Sequence, residues 1–182
     1  MKSSRVLLCA LLALLGITGS AAAQPPLAPA RKPDVIFVPS TPAIVDAMLT
    51  LGKAGPDDVV YDLGSGDGRI PIAAVQKYNV KAAVGVEIDP IHIAEARAAA
   101  AKAGVGDRVT FRKEDLFTTS IGDATLVTLY LLPTLNEKLM PKLQQELKPG
   151  SRVVSSSFAM GDWKPDQTIE VEGRPIFLWI IK

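Results

Sequence analysis

Hydrophobic positions along this chain alternate between short continuous runs and runs with helical spacing. The continuous runs at Val59–Leu63 and Ala82–Glu87 have the length of buried strands, and Val109–Lys113 predicts a third strand. Between them, Ile70–Tyr78 and Pro90–Ala103 carry apolar residues at the spacing of a helix with one buried face. Strands that alternate with helices in this way predict a parallel sheet with helices on its faces.

The same pattern predicts elements on both sides of this region. They are a first helix, a fourth strand, a further helix and a fifth strand, at Thr41–Leu51, Ala124–Leu132, Thr134–Leu147 and Arg152–Phe158. The segments Thr168–Val171 and Ile176–Ile181, joined by a turn, predict a closing hairpin. The prediction is one α/β domain with a doubly wound, Rossmann-like sheet of seven strands, mostly parallel with a C-terminal antiparallel hairpin.

The turn after the first strand is the most informative feature of the chain. It reads DLGSGDGR over residues 62–69, with glycines at positions 64, 66 and 68. Glycine permits positive φ and a close approach of the backbone to a ligand, and the following helix presents unpaired N–H groups. Glu87 ends the second strand, where a carboxylate can accept hydrogen bonds from both hydroxyls of a ribose. These features predict a site for a nucleoside cofactor.

The spacing of the glycines separates two classes of cofactor. A dinucleotide site typically has G-x-G-x-x-G, but Arg69 stands where the third glycine belongs. Asp62 and Asp67 add carboxylates that repel a pyrophosphate and attract a cofactor carrying an ammonium and a sulfonium group. A dinucleotide-dependent oxidoreductase is therefore disfavoured. The other alternative is a structural turn in an unrelated α/β domain.

The turn, followed by VGVEID at residues 84–89, resembles motif I and the acidic strand end of class I S-adenosylmethionine-dependent methyltransferases. The resemblance implies S-adenosyl-L-methionine (SAM) as the cofactor, no metal, and a methyltransferase domain over residues 34–182. It implies that Asp115 contacts the adenine amino group and that Leu116 packs on the ring, although Asp115 could equally be a solvated loop acid. The remaining cofactor-binding residues implied in this region are Asp62, Gly64, Ser65, Gly66, Asp67, Gly68 and Glu87.

A narrower resemblance rests on four segments of the sequence. FVPSTP at 37–42, the glycine turn, TLYLLP at 128–133 and MGDW at 160–163 together look similar to the small protein-lysine methyltransferases of archaea. They also resemble the mitochondrial relatives in the family with sequence similarity 173. This resemblance implies that Val38, Pro39 and Ser40 fold over the cofactor and border a channel for a lysine side chain. The alternative for this segment is an ordinary helix start.

The segment after the fourth strand departs from a common pattern. Many amino-group methyltransferases have an Asn/Asp-Pro-Pro-Tyr turn there, whereas this chain has Tyr130-Leu131-Leu132-Pro133. The departure leaves Tyr130 and Pro133, with backbone carbonyls, to shape the acceptor pocket. Tyr130 could equally be a core aromatic. An apolar mouth of this kind suits a lysine side chain of a protein substrate, because it strips water from an alkylammonium group.

The N-terminal segment predicts export. Lys2 and Arg5 precede the apolar run Val6–Ile17, and small residues follow up to Ala23. This is the pattern of a signal peptide over residues 1–23, cleaved near Ala23. Residues 24–33 are rich in proline and alanine and predict an extended linker. The mature protein is then expected to be periplasmic or secreted, without a membrane span.

Charge and cysteine content agree with this reading. Cleavage would remove two of the 20 basic residues and none of the 19 acidic ones, leaving 18 against 19 and a net charge of about −1. Proteins that bind nucleic acid usually show a basic stripe, so no nucleic-acid partner is predicted. The single cysteine, Cys9, lies inside the signal, which suits an oxidising compartment.

The sequence leaves two rival functions open. One is an exported, catalytically silent domain of the same fold that binds a ligand or partner, because the periplasm has no evident supply of SAM. The intact glycine turn and Glu87 count against it. The other is a methyltransferase that acts on a small molecule.

Overall fold

The computed structural model describes residues 37–182. The predicted signal peptide (1–23) and linker (24–33) lie outside the described residues, as do the first three residues of the predicted methyltransferase domain. Over residues 37–182, no helix has the length and apolar character needed to cross a membrane.

The described elements follow the order expected from the hydrophobic pattern. The strands are β1 (Val59–Leu63), β2 (Ala82–Glu87), β3 (Val109–Lys113), β4 (Leu126–Leu129), β5 (Arg152–Ser156), β6 (Gln167–Val171) and β7 (Arg174–Ile180). The helices are α1 (Pro42–Leu51), α2 (Arg69–Tyr78), α3 (Pro90–Lys102) and α4 (Pro133–Glu146).

The seven strands form one sheet in the order β3-β2-β1-β4-β5-β7-β6. The first five strands are parallel, whereas β7 pairs antiparallel with both β5 and β6. Leu63 at the end of β1 lies opposite Val86 in β2 and Leu129 in β4, so the carboxyl ends of these strands share one edge. The predicted doubly wound sheet with its C-terminal hairpin is confirmed, and a ligand is expected at this edge.

Hydrophobic residues cover both faces of the sheet. On one face, Met48, Val60 and Ala74 are completely buried in a cluster that includes residues of α1, α2 and α3. On the other face, Leu139 and Trp179 belong to a cluster formed with residues of α4. Burial on both faces explains why the central parallel strands, such as β1 and β4, read as nearly continuous apolar runs rather than as alternating ones.

Two strands are shorter than their apolar runs predict. The run 124–132 continues beyond β4, which ends at Leu129 because its pairing partner β1 ends at Leu63. The run 152–158 continues beyond β5, which ends at Ser156 because Ser157 has a φ of +69° and leaves the extended conformation. Both chain segments leave the sheet at the edge where the ligand is expected, and so they become available to line a site.

Candidate active site

A cavity of about 560 Å³ opens at the carboxyl ends of β1, β2 and β4. The structure brings most of the predicted site residues to its wall, namely Val38, Ser40, Asp62, Gly64, Ser65, Asp67, Glu87, Asp115, Leu116 and Tyr130. Pro39, Gly66, Gly68 and Pro133 are not part of the lining. Pro133 is the first residue of α4 and is exposed, and Leu131 and Leu135 line the cavity on either side of it in sequence.

Glu87 holds the glycine turn against the end of β2. One carboxylate oxygen accepts the backbone N–H of Gly66 at 3.0 Å, and the other accepts those of Ile88 and Asp89 at 2.7 and 2.9 Å. Two carboxylate oxygens offer about four acceptor positions, so acceptor capacity for a ribose hydroxyl remains. The same side chain that orders the turn thus lines the cavity that the turn helps to form.

Glycine is required at two positions of the turn, because φ is positive there and because a Cβ atom would clash with a neighbouring side chain. Gly66 has a φ of +50°, and a Cβ atom there would lie 2.1 Å from the ring of Phe37. Gly68, the N-cap of α2, has a φ of +78°, and a Cβ atom there would lie 2.4 Å from the ring of Phe111. The turn is therefore packed between Phe37 above and the α3–β3 layer below, although neither Gly66 nor Gly68 lines the cavity.

Asp62 is the buried carboxyl group of the site. Its Oδ1 accepts a 2.7 Å hydrogen bond from the hydroxyl of Thr128 in β4. Burial raises the pKa of Asp62 to about 7, the negative charges of Glu87 and Asp67 add to this, and the bond from Thr128 opposes it. Asp62 therefore holds its proton to a higher pH than an exposed aspartate does.

Asp67 is held by Arg69, the residue that replaces the third glycine of a dinucleotide turn. Arg69 Nε donates to Asp67 Oδ1 at 2.9 Å, and another guanidinium nitrogen donates to the carbonyl oxygen of Ser40. Burial alone would raise the pKa of Asp67, but the hydrogen bonds and charge of Arg69 outweigh it and lower the pKa. Arg69 thereby joins the glycine turn to the segment 37–40.

Phe37 and His92 form a side of the cavity that sequence reasoning did not assign. Their ring centroids are 4.6 Å apart with an interplanar angle of 51°. His92 also contacts Glu95 at 2.9 Å, and this hydrogen bond raises the pKa of His92, partly offset by burial. Phe37 directly precedes the Val-Pro-Ser segment, which is the signal that could have identified it.

Asp115 and Leu116 lie in the loop after β3, at the opposite side of the cavity from Tyr130 in sheet order. Asp115 Oδ1 accepts the backbone N–H of Phe117 at 2.9 Å, a local bond that shapes the loop. The neighbouring Glu114 also lines the cavity and accepts a 2.6 Å bond from Thr119. Contact of Asp115 and Leu116 with an adenine ring stays a prediction.

The lining fits a cationic nucleoside cofactor. Six carboxylic side chains face the cavity, against two basic ones, Arg69 and His92; the acids are Asp62, Asp67, Glu87, Asp89, Glu114 and Asp115. Within the described chain, the Ser65 hydroxyl is buried without a hydrogen-bond partner, although Ser65 lines the cavity. An unpaired polar atom and an acidic wall suit an ammonium-bearing, hydroxyl-bearing ligand. Among residues 37–182, no group of three or more histidine, cysteine or acidic side chains is arranged to hold a metal ion.

The state of Asp62 predicts a pH-dependent affinity for SAM. A bound cation favours the ionised carboxylate, so binding releases the proton that Asp62 holds below about pH 7. Affinity should therefore rise as pH increases, by about 10-fold between pH 6 and pH 8 for a group titrating near 7. Calorimetry across this range tests the prediction. Asp62→Asn should remove most of the dependence, whereas His92→Gln should remove only the part that comes from repulsion between protonated His92 and the cation. A dependence in Asp62→Asn as steep as in the wild type would contradict the assignment.

The ANTKMT methyltransferase domain matches this chain over residues 62–167. A protein-lysine N-methyltransferase of Saccharolobus islandicus is 46% identical over 153 residues, which cover 82% of this chain and 95% of the relative. The adenine nucleotide translocase lysine N-methyltransferase of Mus musculus is 38% identical over 131 residues. They cover 72% of this chain and only 56% of the mouse protein.

A solved structure gives the same fold with a ligand. It is described as an RNA methyltransferase from Salinibacter ruber in complex with S-adenosyl-L-homocysteine, and it superposes with a TM-score of 0.78 at 50% sequence identity. The match covers 79% of this chain and 94% of that one. With the acidic nucleoside site described above, these similarities establish SAM as the cofactor. This chain belongs to the ANTKMT methyltransferase family of SAM-dependent enzymes.

Proposed function

We propose that this protein transfers a methyl group from SAM to the side-chain nitrogen of lysine residues in a protein substrate. The observation that carries the proposal is the character of the cavity, which the apolar side chains of Val38, Leu131 and Leu135 line together with Tyr130. The names of the Saccharolobus and mouse relatives, both lysine N-methyltransferases, support it.

The wall residues suit the chemistry of an amine acceptor. Bound SAM supplies a methyl group on a sulfonium centre, which only an uncharged nucleophile attacks efficiently. Lysine has a pKa of about 10.4 in water and must first lose a proton to solvent. Apolar residues such as Leu131, which is 4% exposed, disfavour the ammonium form of an entering side chain and so lower its pKa. No general base is required for this step.

Besides lowering the pKa of the amine, the enzyme must hold SAM and the amine in line. We infer that Glu87, which lines the cavity, holds the ribose. The segment 37–40, joined to the turn by Arg69, contributes Phe37, Val38 and Ser40 to the cavity wall. Holding the two reactants in line and excluding water can supply a large part of the rate enhancement. The buried polar residues of the site thus orient the cofactor, and the apolar residues prepare the acceptor.

The test is a methyl-transfer assay with labelled SAM on envelope proteins and total RNA of the source organism. We expect label on lysine in acid hydrolysates of protein, located by mass spectrometry. The matched control is Glu87→Ala, which should remove the label. Label on RNA alone, the activity named for the Salinibacter protein, or on small molecules alone would overturn the lysine assignment and leave the methyltransferase reading intact.

We further propose that the enzyme is exported and acts in the periplasm or outside the cell. The basic start, apolar run and small residues of 1–23 support this proposal. N-terminal sequencing of the protein recovered from the envelope fraction should give a start near Gln24. Recovery of an intact form beginning at Met1 from the cytoplasm would contradict it.

A further inference from the structure

The turn between β6 and β7 reaches the edge of the active-site cavity. Because β7 runs antiparallel to β5, with Ile176 opposite Ser156, the start of β7 lies beside the carboxyl end of β5. The carboxyl ends of β1 and β4 share that edge. The residues at 172–174 are therefore placed beside the acceptor side of the cavity, although they lie more than 100 positions after the glycine turn in sequence.

Two side chains of this turn contact residues that line the cavity or directly follow its lining in sequence. Arg174 donates a 2.8 Å hydrogen bond to the hydroxyl oxygen of Tyr130, which lines the cavity. Glu172 accepts a 2.6 Å hydrogen bond from the hydroxyl of Thr41. Thr41 is the N-cap of α1 and directly follows the segment 37–40. The turn thus connects Tyr130, which directly follows β4, with Thr41, which directly follows the segment 37–40.

The backbone of the turn is unusual for its sequence. Val171 pairs with Arg174, and the two residues between them, Glu172 and Gly173, have φ values of +52° and +69°. Two-residue hairpin turns of this kind favour Asn or Gly at the first position, because other side chains are strained there. The glutamate is held in this conformation while its carboxylate bonds to Thr41. Strain that persists together with a specific contact points to a function for the contact.

We propose that Arg174 is a positioning residue for methyl transfer, which orients the Tyr130 hydroxyl toward the acceptor nitrogen. A tyrosine hydroxyl has two lone pairs and one hydrogen, and Arg174 occupies one lone pair. The second lone pair can accept an N–H of the neutral amine, so that the nitrogen lone pair stays available for the methyl group. Glu172 holds the start of α1, next to the segment 37–40, through its hydrogen bond with Thr41. This inference rests on the proposed transfer to an amine.

The test is a double-mutant cycle on kcat with the acceptor that the wild-type enzyme methylates. Arg174→Met should lower kcat by about 10-fold or more, since small misplacements of reacting groups cost up to about 100-fold. The dissociation constant for SAM should stay within about 2-fold, because Arg174 is not part of the cavity lining. Arg174→Lys, which keeps one donor, should recover part of the loss. In a Tyr130→Phe background, Arg174→Met should cause no further loss.

Arg108 provides the matched control. It precedes β3 at the opposite edge of the sheet and donates a 2.8 Å hydrogen bond to the side-chain carbonyl oxygen of Asn79, which is uncharged like the Tyr130 hydroxyl. Arg108→Met removes a comparable surface bond and should leave kcat unchanged. Full kcat in Arg174→Met, or an equal loss in the Tyr130→Phe background, would overturn the positioning role. A wild-type enzyme that methylates RNA and no lysine would contradict the proposed function, and the cycle on that acceptor would still decide the role of Arg174.

Discussion

Glu87→Ala is expected to lower the affinity for SAM by at least about 100-fold, which corresponds to about 2.7 kcal/mol. Hydrogen bonds to a charged group contribute about 1.5–3 kcal/mol each, and the carboxylate retains acceptor capacity for a ribose hydroxyl. The substitution also leaves the N–H groups of Gly66, Ile88 and Asp89 without their acceptor. The glycine turn should therefore loosen as well, and titration calorimetry would show the combined loss.

Two further variants separate the roles of Glu87. Glu87→Gln keeps one carbonyl oxygen for the N–H groups of Ile88 and Asp89 but loses the charge, so it should preserve the melting temperature better than Glu87→Ala while still binding SAM weakly. Glu170→Ala removes an exposed carboxylate from β6 and should leave both quantities unchanged. Normal binding of SAM by Glu87→Ala would show that the ribose is held elsewhere.

The parallel part of the sheet could be predicted from the sequence because its signals are local. Each of β1, β2 and β3 has the predicted bounds. Burial on both faces makes β1 and β2 nearly apolar throughout, whereas the edge strand β3 carries exposed residues between buried ones. The ends of β4 and β5 could not be predicted in this way. Apolar residues such as Leu131 continue past the last paired residue to line the cavity, and an apolar run does not distinguish a strand from a buried loop.

The residues on the cofactor side of the site could also be predicted from the sequence. The glycine turn and the end of β2 are adjacent strand ends, and 21 positions separate Gly66 from Glu87. The general rule that ligands bind beyond the carboxyl ends of parallel strands places both at one edge. Phe37 and His92 were not assigned on this side, because their ring contact joins segments 55 positions apart, and because the motif that begins at Phe37 drew attention to the residues after it.

The acceptor side depends on contacts that no local pattern predicts. Arg174 reaches Tyr130 across 44 positions, and Glu172 reaches Thr41 across 131. These contacts exist because β7 inserts between β5 and β6, so that the hairpin turn points toward the cavity edge. The sequence predicts the hairpin but not its place in the sheet. Residues that select the methyl acceptor are therefore harder to identify from sequence than those that bind the cofactor.

Gly66→Val is expected to abolish most SAM binding, with a loss of affinity of about 100-fold or more. Its Cβ atom would lie 2.1 Å from the ring of Phe37, so the aromatic cover and the turn cannot both keep their positions. A β-branched residue at a φ of +50° also adds backbone strain of about 1–2 kcal/mol. Calorimetry measures the loss of binding, and thermal unfolding measures the loss of stability.

Gly104→Val distinguishes the clash with Phe37 from the backbone strain. Gly104 has a φ of +70°, but a Cβ atom there has open space within 4 Å. This variant should therefore lose stability by a similar strain of about 1–2 kcal/mol and keep its affinity for SAM. If Gly66→Val and Gly104→Val lost stability alike and both bound SAM normally, the contact between Phe37 and the glycine turn would have no part in holding the cofactor. Loss of binding in Gly66→Val alone would assign that role to the turn at Gly66, through its packing against Phe37 and its N–H bond to Glu87, because backbone strain of similar size is common to both variants.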